Sequence, residues 1–323
     1  MSLPLGAEPS VHVIHENAEW LAPLQKALDI QGTPWQDWFI HQGFFDLSGA
    51  PPEGVFYNRM SASSHTRDHR FSVELCEPLL AWLRAHGRVV INGPQALHLE
   101  VRKAEQALTL AAHGIRTPET LVAAGPEAIL SAARALAAER FIIKPNRGGK
   151  GLGVQLFDSP DALERWLESA PPEAFSPDGI TLVQRYIQPA SGHITRLEFI
   201  GGEFFYAVQV DASGGFELCP ADGCAVEESA FCPTGPAAVQ SPGRFRIDRD
   251  FRDAALVDAL TACFEANDIR VGAAEFVEDR QGHRYVYDIN TNTNYNQQAE
   301  VEAGGTQRAY EHLARFLADQ LAH

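Results

Sequence analysis

Two spacings of apolar residues alternate along the first hundred positions, one typical of strands and one typical of helices. Short apolar runs at 11–16 and 54–60 predict buried strands, and the spacing over 18–28 predicts a helix between them. A second helix is predicted over 72–86, where a glycine ends it, and the β-branched run 88–92 predicts a further strand. This order predicts a small parallel sheet with covering helices.

The middle of the chain begins with a helical pattern and continues with strands around a glycine-rich loop. Apolar residues at spacings of three and four over 97–112 predict one amphipathic linker helix. A helix that begins at Pro126 precedes the strand 141–144, and a second strand, 153–157, follows the glycines. We therefore expect a compact α+β lobe here.

In the remaining part of the chain the pattern changes to that of antiparallel strands. Strands are predicted at 180–187, 195–200 and 203–210, and a glycine pair typical of a tight hairpin joins the last two. A second hairpin is predicted from 273–277 and 284–290. These strands predict an antiparallel sheet with helices.

The patterns together predict an α/β and α+β protein of three units. They are a parallel α/β domain over 1–98, a linker helix and central lobe over 99–182, and an antiparallel-sheet lobe over 183–323. The interval 213–243, rich in proline and glycine, separates the two hairpins, and loops of that length in compact domains are often functional.

The charge balance argues against a polyanionic partner. The 323 residues include 42 acidic and 26 basic ones, a formal net charge of -16. Nucleic-acid binding needs a basic surface, and two aspartates interrupt the densest basic stretch, 244–252. No apolar run approaches the roughly 20 residues that span a bilayer, and residues 1–10 lack the features of a signal peptide. We therefore expect a cytoplasmic protein without nucleic-acid or membrane partners.

Five cysteines, an odd number in a long chain, predict free thiols instead of disulfides. Cys219, Cys224 and Cys232 lie close together in the sequence, but they lack paired short spacings and a histidine. We favour free thiols in and around a loop over a metal site. Neither Cys219 nor Cys224 has a neighbouring base that would indicate a nucleophile.

A predicted strand that ends in Lys144 continues into a loop with four glycines and two further cations. The backbone amides of such a loop can surround phosphate, and a lysine ammonium can hold phosphate oxygens. The loop matches neither the Walker sequence nor the dinucleotide fingerprint, and the alternative is an ordinary hairpin turn. We favour phosphate binding by Lys144 and by the loop residues Arg147, Gly148, Gly149, Lys150, Gly151 and Gly153.

Three oxygen-bearing side chains fall on the last predicted hairpin. Asp288 and Asn290 are two residues apart, so they leave the same face of a strand, and Glu275 on the partner strand can point to that face. Mg²⁺ prefers such a set together with phosphate and water oxygens. The alternative is solvated polarity at a sheet edge. Arg196, at the head of another strand, could meet a transferred phosphoryl group or form a surface ion pair.

The order of these motifs resembles the ATP-grasp superfamily, particularly its branch of ribosomal-protein glutamate ligases and glutathione synthetases. The features that carry the resemblance are Lys103, Lys144, the glycine loop, the segment 184–187, Arg196, Glu275 and the pair Asp288 and Asn290. The segments 91–120 and 56–63 also resemble that branch, the second as the strand that brings an arginine to the substrate. Most of the chain is covered.

The resemblance implies the ATP-grasp fold, with ATP and a pair of magnesium ions as cofactors. It implies phosphate contacts from Lys103 and Lys144, catalytic roles for Lys144 and Arg196, and magnesium ligands in Glu275, Asp288 and Asn290. The hinge strand beside adenine would comprise Gln184, Arg185, Tyr186 and Ile187. The substrate side would include Arg59, Asn92 and Arg196, with Arg59 paired to a carboxylate.

Several positions depart from the family's pattern. Arg185 replaces a common glutamate, and Glu275 and Asp288 reverse the usual order of the two acids while keeping their charge and donors. The polar segment 291–296 replaces a continuation of small residues, proline and glycine, and 218–224 replaces a basic substrate segment. Glutamate is therefore not assigned as the substrate.

The activity that the resemblance implies is ATP-dependent ligation of a carboxylate to an amine, through an acyl phosphate and with release of ADP. The substrates would be amino acids or peptides, and the enzyme would be a homo-oligomer. Two alternatives remain, a nucleotide-binding regulatory protein without catalytic activity and a small-molecule kinase.

Overall fold

The computed structural model of the chain describes residues 8–212, 244–305 and 308–322, and within them the strands form three sheets. The predicted interval 213–243, with Cys219, Cys224 and Cys232, lies outside the described residues. Cys76 and Cys263 are buried free thiols, as expected. In the part of the chain that the structure describes, no helix has both the length and the apolar content that crossing a bilayer requires.

The first sheet is parallel, as the sequence predicts. Its elements are β1 (Ser10–His15), α1 (Ala18–Gln31), β2 (Trp35–Phe39), β3 (Gly54–Asn58), α2 (Ser72–Ala85) and β4 (Val89–Ile91). The strand order is β2-β1-β3-β4. Because the chain leaves β1 toward one edge and later returns to β3 on its other side, the carboxyl ends of β1 and β3 border a crevice where ligands commonly bind.

The prediction of one linker helix over 97–112 is wrong, because two helices occupy this stretch. They are α3 (Pro94–Glu100) and α4 (Lys103–Ala112), separated by the non-helical Val101 and Arg102. Asn146 from the second sheet binds the first turn of α4, its carbonyl accepting from Lys103 N and its side chain from Ala104 N. The apolar spacing continues across the break, so a tertiary contact that the pattern does not contain sets where α4 begins.

The second sheet forms the predicted α+β lobe. Its elements are β5 (Thr120–Ala124), α5 (Pro126–Leu136), β6 (Phe141–Pro145), β7 (Gln155–Phe157), α6 (Pro160–Leu167) and β8 (Ile180–Arg185). The order β5-β8-β6-β7 is antiparallel throughout. The expected division at residue 182 falls inside β8, so this sheet extends three residues beyond it.

The third sheet is antiparallel and has five strands. Its elements and the helices that follow are β9 (His193–Ile200), β10 (Glu203–Asp211), β11 (Phe245–Asp248), α7 (Ala254–Ala266), β12 (Val271–Glu278), β13 (Arg284–Asn290), α8 (Gln297–Glu302) and α9 (Ala309–Leu321). Gly201 and Gly202 both have positive φ, which the tight turn between β9 and β10 requires. The strand order is β11-β10-β9-β12-β13.

The first and third sheets are joined by a shared apolar core. Leu24 and Leu28 of α1 belong to the same buried cluster as Leu313 and Leu317 of α9. α9 therefore packs the end of the chain against the first sheet. This arrangement fixes the crevice of the first sheet relative to the third.

Candidate active site

A cavity of about 590 Å³ is lined by residues from the second and third sheets, from α1, α3 and α4, and by Ser61 and Ser63 after β3. Its volume falls in the range of small-molecule sites. Most of the predicted site residues line it, namely Lys103, Lys144, Gly148, Gly149, Lys150, Gly151, Gln184, Arg185, Tyr186, Ile187, Arg196, Glu275, Asp288 and Asn290. The remaining four, Arg59, Asn92, Arg147 and Gly153, do not line the cavity.

Three charged side chains form a row across the third sheet. Arg196 of β9 pairs in register with Glu275 of β12, and Glu275 pairs with Asp288 of β13. The Arg196 guanidinium donates to Glu275 Oε1 at 2.9 Å, and Asn290 Nδ2 lies 3.4 Å from the same oxygen. The pairing of β9 with β12 therefore brings the predicted phosphoryl-binding arginine to the predicted metal residues.

Two residues that the sequence analysis missed, Glu198 and Thr293, hold the Arg196 guanidinium in place by hydrogen bonds. Its Nε donates to Glu198 Oε1 at 2.5 Å, and the Thr293 hydroxyl donates to Glu198 Oε2 at 2.8 Å while accepting from Arg196. Burial raises the pKa of Glu198, and the Arg196 charge opposes this shift. A glutamate two residues after Arg196, and so on the same face of the strand, was the signal that could have revealed it.

Lys103 stands in the first turn of α4 and pairs with the Asp288 carboxylate. Burial by itself lowers the pKa of Lys103, but the charge and hydrogen bond of Asp288, together with the charges of Glu100 and Glu275, bring the pKa above its usual value. Lys103 therefore carries its positive charge into the cavity at neutral pH.

Lys144, at the end of β6, has no such counterion in direct contact among the described residues. Its Nζ donates to the Tyr287 carbonyl at 3.1 Å and lies 5.9 Å from the centre of the Tyr287 ring. Burial lowers the pKa of Lys144 to about 8, and the charge of Lys103 contributes to this shift while Asp288 opposes it. An ammonium in this environment is suited to an anionic ligand.

The glycine-rich loop lies against the first sheet. The Lys150 ammonium is 4.7 Å from the centre of the Trp20 ring, which also lines the cavity. At Gly153, φ is positive and a Cβ would lie 2.8 Å from the Pro145 side chain, so a larger residue does not fit. The Arg147 guanidinium points away from the loop and pairs with Glu74 of α2 at 2.6 Å.

The four hinge residues line the cavity at the end of β8. Gln184 is anchored by a 2.7 Å hydrogen bond from Nε2 to Thr120 Oγ1. The Arg185 guanidinium is turned outward and pairs with Glu119 at 2.7 Å. The Arg185 side chain is therefore engaged by Glu119, although the residue lines the cavity.

Two of the three residues expected on the substrate side, Arg59 and Asn92, are buried and bonded to the protein. Arg59 donates to the carbonyls of Trp20 and Thr293 and to Asn294 Oδ1. Asn92, with no exposed surface, donates to the carbonyls of Val271 and Thr291 and accepts two backbone N–H groups. Both residues join the first sheet to the third, and neither meets the cavity.

Glu275, Asp288 and Asn290 have donors that fit magnesium. Two carboxylates and an amide face one cavity, and a nucleotide phosphate and water would complete six oxygen ligands. Burial raises the pKa of Glu275, the nearby Asp288 charge raises it further, and Arg196 opposes both. No group of three His, Cys, Asp or Glu side chains with metal-binding geometry occurs among the described residues.

Sequence comparison gives no match to a protein-family model and none to a curated protein. Solved structures do match over nearly the full chain. D-cycloserine synthetase DcsG is 18% identical with a TM-score of 0.68, covering 97% of this chain and 100% of its own. A RimK domain ATP-grasp protein from Sphaerobacter thermophilus is 20% identical with a TM-score of 0.61, at 97% and 100% coverage. The ATP-grasp ligase PsnB is 16% identical with a TM-score of 0.62, at 98% and 99% coverage.

These similarities define the class of the fold. The chain has the ATP-grasp fold, with a parallel α/β domain, a small α+β lobe and an antiparallel-sheet lobe, as the sequence analysis predicts. At identities of 20% and below the similarity concerns the fold, so the chemistry has to be argued from the cavity itself.

Proposed function

We propose that this protein is an ATP-dependent ligase that joins a carboxylate to an amine and releases ADP and phosphate. The observation that carries the proposal is the row of Arg196, Glu275 and Asp288 in one cavity with Lys103 and Lys144. For phosphoryl transfer a protein mainly has to position the reactants and supply positive charge to the phosphate oxygens. These five residues supply both.

The nucleotide would lie between the end of β8 and the glycine-rich loop. The four hinge residues offer main chain and apolar contacts to a base, and the loop with Lys103 and Lys144 offers positive charge to the phosphates. Gly148, Gly149 and Gly151 allow the loop backbone to approach a ligand closely. Lys144, buried without a direct counterion, would gain one when a phosphate binds.

Glu275, Asp288 and Asn290 would hold magnesium, which we propose binds as a pair of ions. Bound there, magnesium supplies positive charge to the phosphate oxygens. The structure of PsnB was solved with Mg and ADP, which supports the same cofactors for this fold. In this chain Lys103 would then release Asp288 and turn to the phosphates.

The reaction would proceed in two displacements. A carboxylate oxygen of the acid forms a bond to the γ-phosphorus while the bond to ADP breaks, and Arg196 and Lys144 stabilise the charge that develops. The amine nitrogen then forms a bond to the carbonyl carbon, and phosphate leaves with the electron pair and a proton from the nitrogen. No covalent nucleophile from the protein is needed.

Amino acids or peptides are the proposed substrate class. The neighbouring solved structures include a D-cycloserine synthetase and a ligase bound to a precursor peptide, so the fold accepts both small and peptide substrates. We also propose a cytoplasmic location, and a homo-oligomer on the basis of the family resemblance. Light scattering after size exclusion measures the oligomeric state.

The test is ADP release with ATP and magnesium across a panel of amino acids and short peptides, with mass spectrometry of the products. Substrate-dependent ADP and a product lighter by one water than its two components would establish ligation. The Asp288→Asn variant is the matched control and is expected to lose ADP formation. A stable phosphorylated product without an amide would instead indicate a kinase, and tight ATP binding without ADP formation would indicate a regulatory protein.

A further inference from the structure

Three carboxylates line the cavity, and one of them has no role in the site described so far. Glu275 pairs with Arg196, and Asp288 pairs with Lys103. The third, Glu100, is the last residue of α3 and is 7% exposed. Among residues 8–212, 244–305 and 308–322, no Lys, Arg or His nitrogen lies within 4.0 Å of its carboxylate.

Glu100 is fixed in place by uncharged donors. Its Oε2 accepts from the backbone N–H of Thr291 at 2.6 Å and from the Thr291 hydroxyl at 3.1 Å. Within the described part of the chain, the one donor to its Oε1 is the backbone N–H of Ala62, at 3.4 Å, so this oxygen retains capacity for a further donor. Burial raises the pKa of Glu100, while Lys103 lowers it and Asp288 raises it.

The wall around Glu100 is rich in oxygen. Ser61 and Ser63 flank Ala62, both line the cavity, and their hydroxyl oxygens lie 3.0 Å apart. A buried carboxylate without a counterion is unfavourable, because burial removes its hydration and nothing of opposite charge replaces it. Such a wall is stabilised by a ligand that brings positive charge and N–H donors.

We infer that Glu100 binds the protonated amino group of a substrate, with Ser61 and Ser63 as its polar neighbours. This inference rests on the proposed function, since it assigns the amine of the ligation to one end of the cavity. Thr291, which holds Glu100, directly follows the proposed magnesium ligand Asn290. The amino group would therefore bind next to the phosphoryl-transfer residues, and it would give one proton to the Glu100 carboxylate before its nitrogen enters the second displacement.

The structure offers one competing role for Glu100. If magnesium takes Asp288, Lys103 loses its counterion, and Glu100 three residues earlier could replace it. In that case Glu100 would support nucleotide binding and would not contact an amine. The two roles differ in which ligand the Glu100→Gln substitution weakens.

The experiment is saturation-transfer NMR on the full chain with ADP and magnesium present, using methylammonium and the neutral acetamide as probes. Wild type is expected to show transfer to methylammonium and much less to acetamide. Glu100→Gln keeps an acceptor for Thr291 but removes the charge, so methylammonium affinity should fall by at least about tenfold. Glu127→Gln, the same change at an exposed position on α5, should leave it unaltered.

Equal response to the two probes in wild type would overturn the inference without relying on any variant. Unchanged methylammonium binding in Glu100→Gln would overturn it too, and weakened ADP binding in that variant would then assign Glu100 to Lys103. These results are separable from the proposed function. Lost methylammonium binding in a protein that never forms ADP would support the site and reject the ligase. Ligation in which Glu100→Gln leaves the KM for the amine unchanged would support the ligase and reject the site.

Discussion

Replacing Lys144 with methionine is expected to make the ligand-free protein more stable while abolishing nucleotide binding. Lys144 is 6% exposed, and burial lowers its pKa from 10.5 to about 8. That difference corresponds to about 3 kcal/mol of unfavourable charge burial. The lost hydrogen bond to the Tyr287 carbonyl and the contact with its ring offset about 1–2 kcal/mol of this. A net stabilisation of about 1–2 kcal/mol remains.

The pH dependence follows from the same shift. Below about pH 8 Lys144 is protonated in both the folded and the unfolded chain, so the penalty is fully present. Between about pH 8 and 10.5 the unfolded chain binds the extra proton, so the stability of ligand-free wild type rises with pH through this window. The difference in stability between Lys144→Met and wild type should therefore shrink from pH 7 to pH 10.

The assay is urea unfolding of both proteins at pH 7 and pH 10, combined with calorimetric titration of ATP in the presence of magnesium. Lys26→Met, the same change at an exposed position on α1, is the matched control and should alter neither property. A Lys144→Met protein that is less stable than wild type at pH 7, or that binds ATP normally, would refute the reasoning.

Three further changes test other parts of the site. Arg147→Ala should leave ATP affinity within about threefold, because its guanidinium pairs outside the cavity; a tenfold loss in calorimetry would contradict this. Glu198→Gln should lower kcat for ADP formation about 10- to 100-fold with little change in the KM for ATP, because Arg196 loses its ion pair with Glu198. The same change at the exposed Glu203 should alter neither kcat nor KM. Asn92→Ala should lower the free energy of unfolding by about 2–4 kcal/mol in urea, since it removes four hydrogen bonds to buried backbone groups; an unaltered midpoint would refute this.

Local rules were enough for the parts of the site that lie on one hairpin or one loop. Asp288 and Asn290 share a face because strand side chains alternate, and the structure has both on the cavity wall. The glycine pair after β9 predicts a tight turn, and both residues have the positive φ that this turn needs. These features depend on neighbours within a few residues, so the sequence contains them.

Other residues show where local rules fail. Arg147 belongs to the same cationic loop as Lys150, yet it pairs with Glu74, a residue 73 positions away. Arg59 and Asn92 match the family's substrate side in sequence, but Arg59 donates to the Thr293 carbonyl after β13, and Asn92 donates to the Val271 carbonyl of β12. A polar residue in a strand or loop gives no indication of whether its partner is a ligand or the protein.

The sequence by itself determined the three-unit α/β and α+β organisation, the glycine-rich loop and the residue types that phosphate and magnesium require. Only the tertiary structure decided that β9 pairs with β12, which sets Arg196 beside Glu275 although 79 positions separate them. It also decided the start of α4, the contact of Glu198 with Arg196 and the position of Glu100 on the cavity wall. The physical reason is that strand register, buried hydrogen bonds and unpaired charges depend on packing between distant segments, which hydrophobic periodicity does not encode.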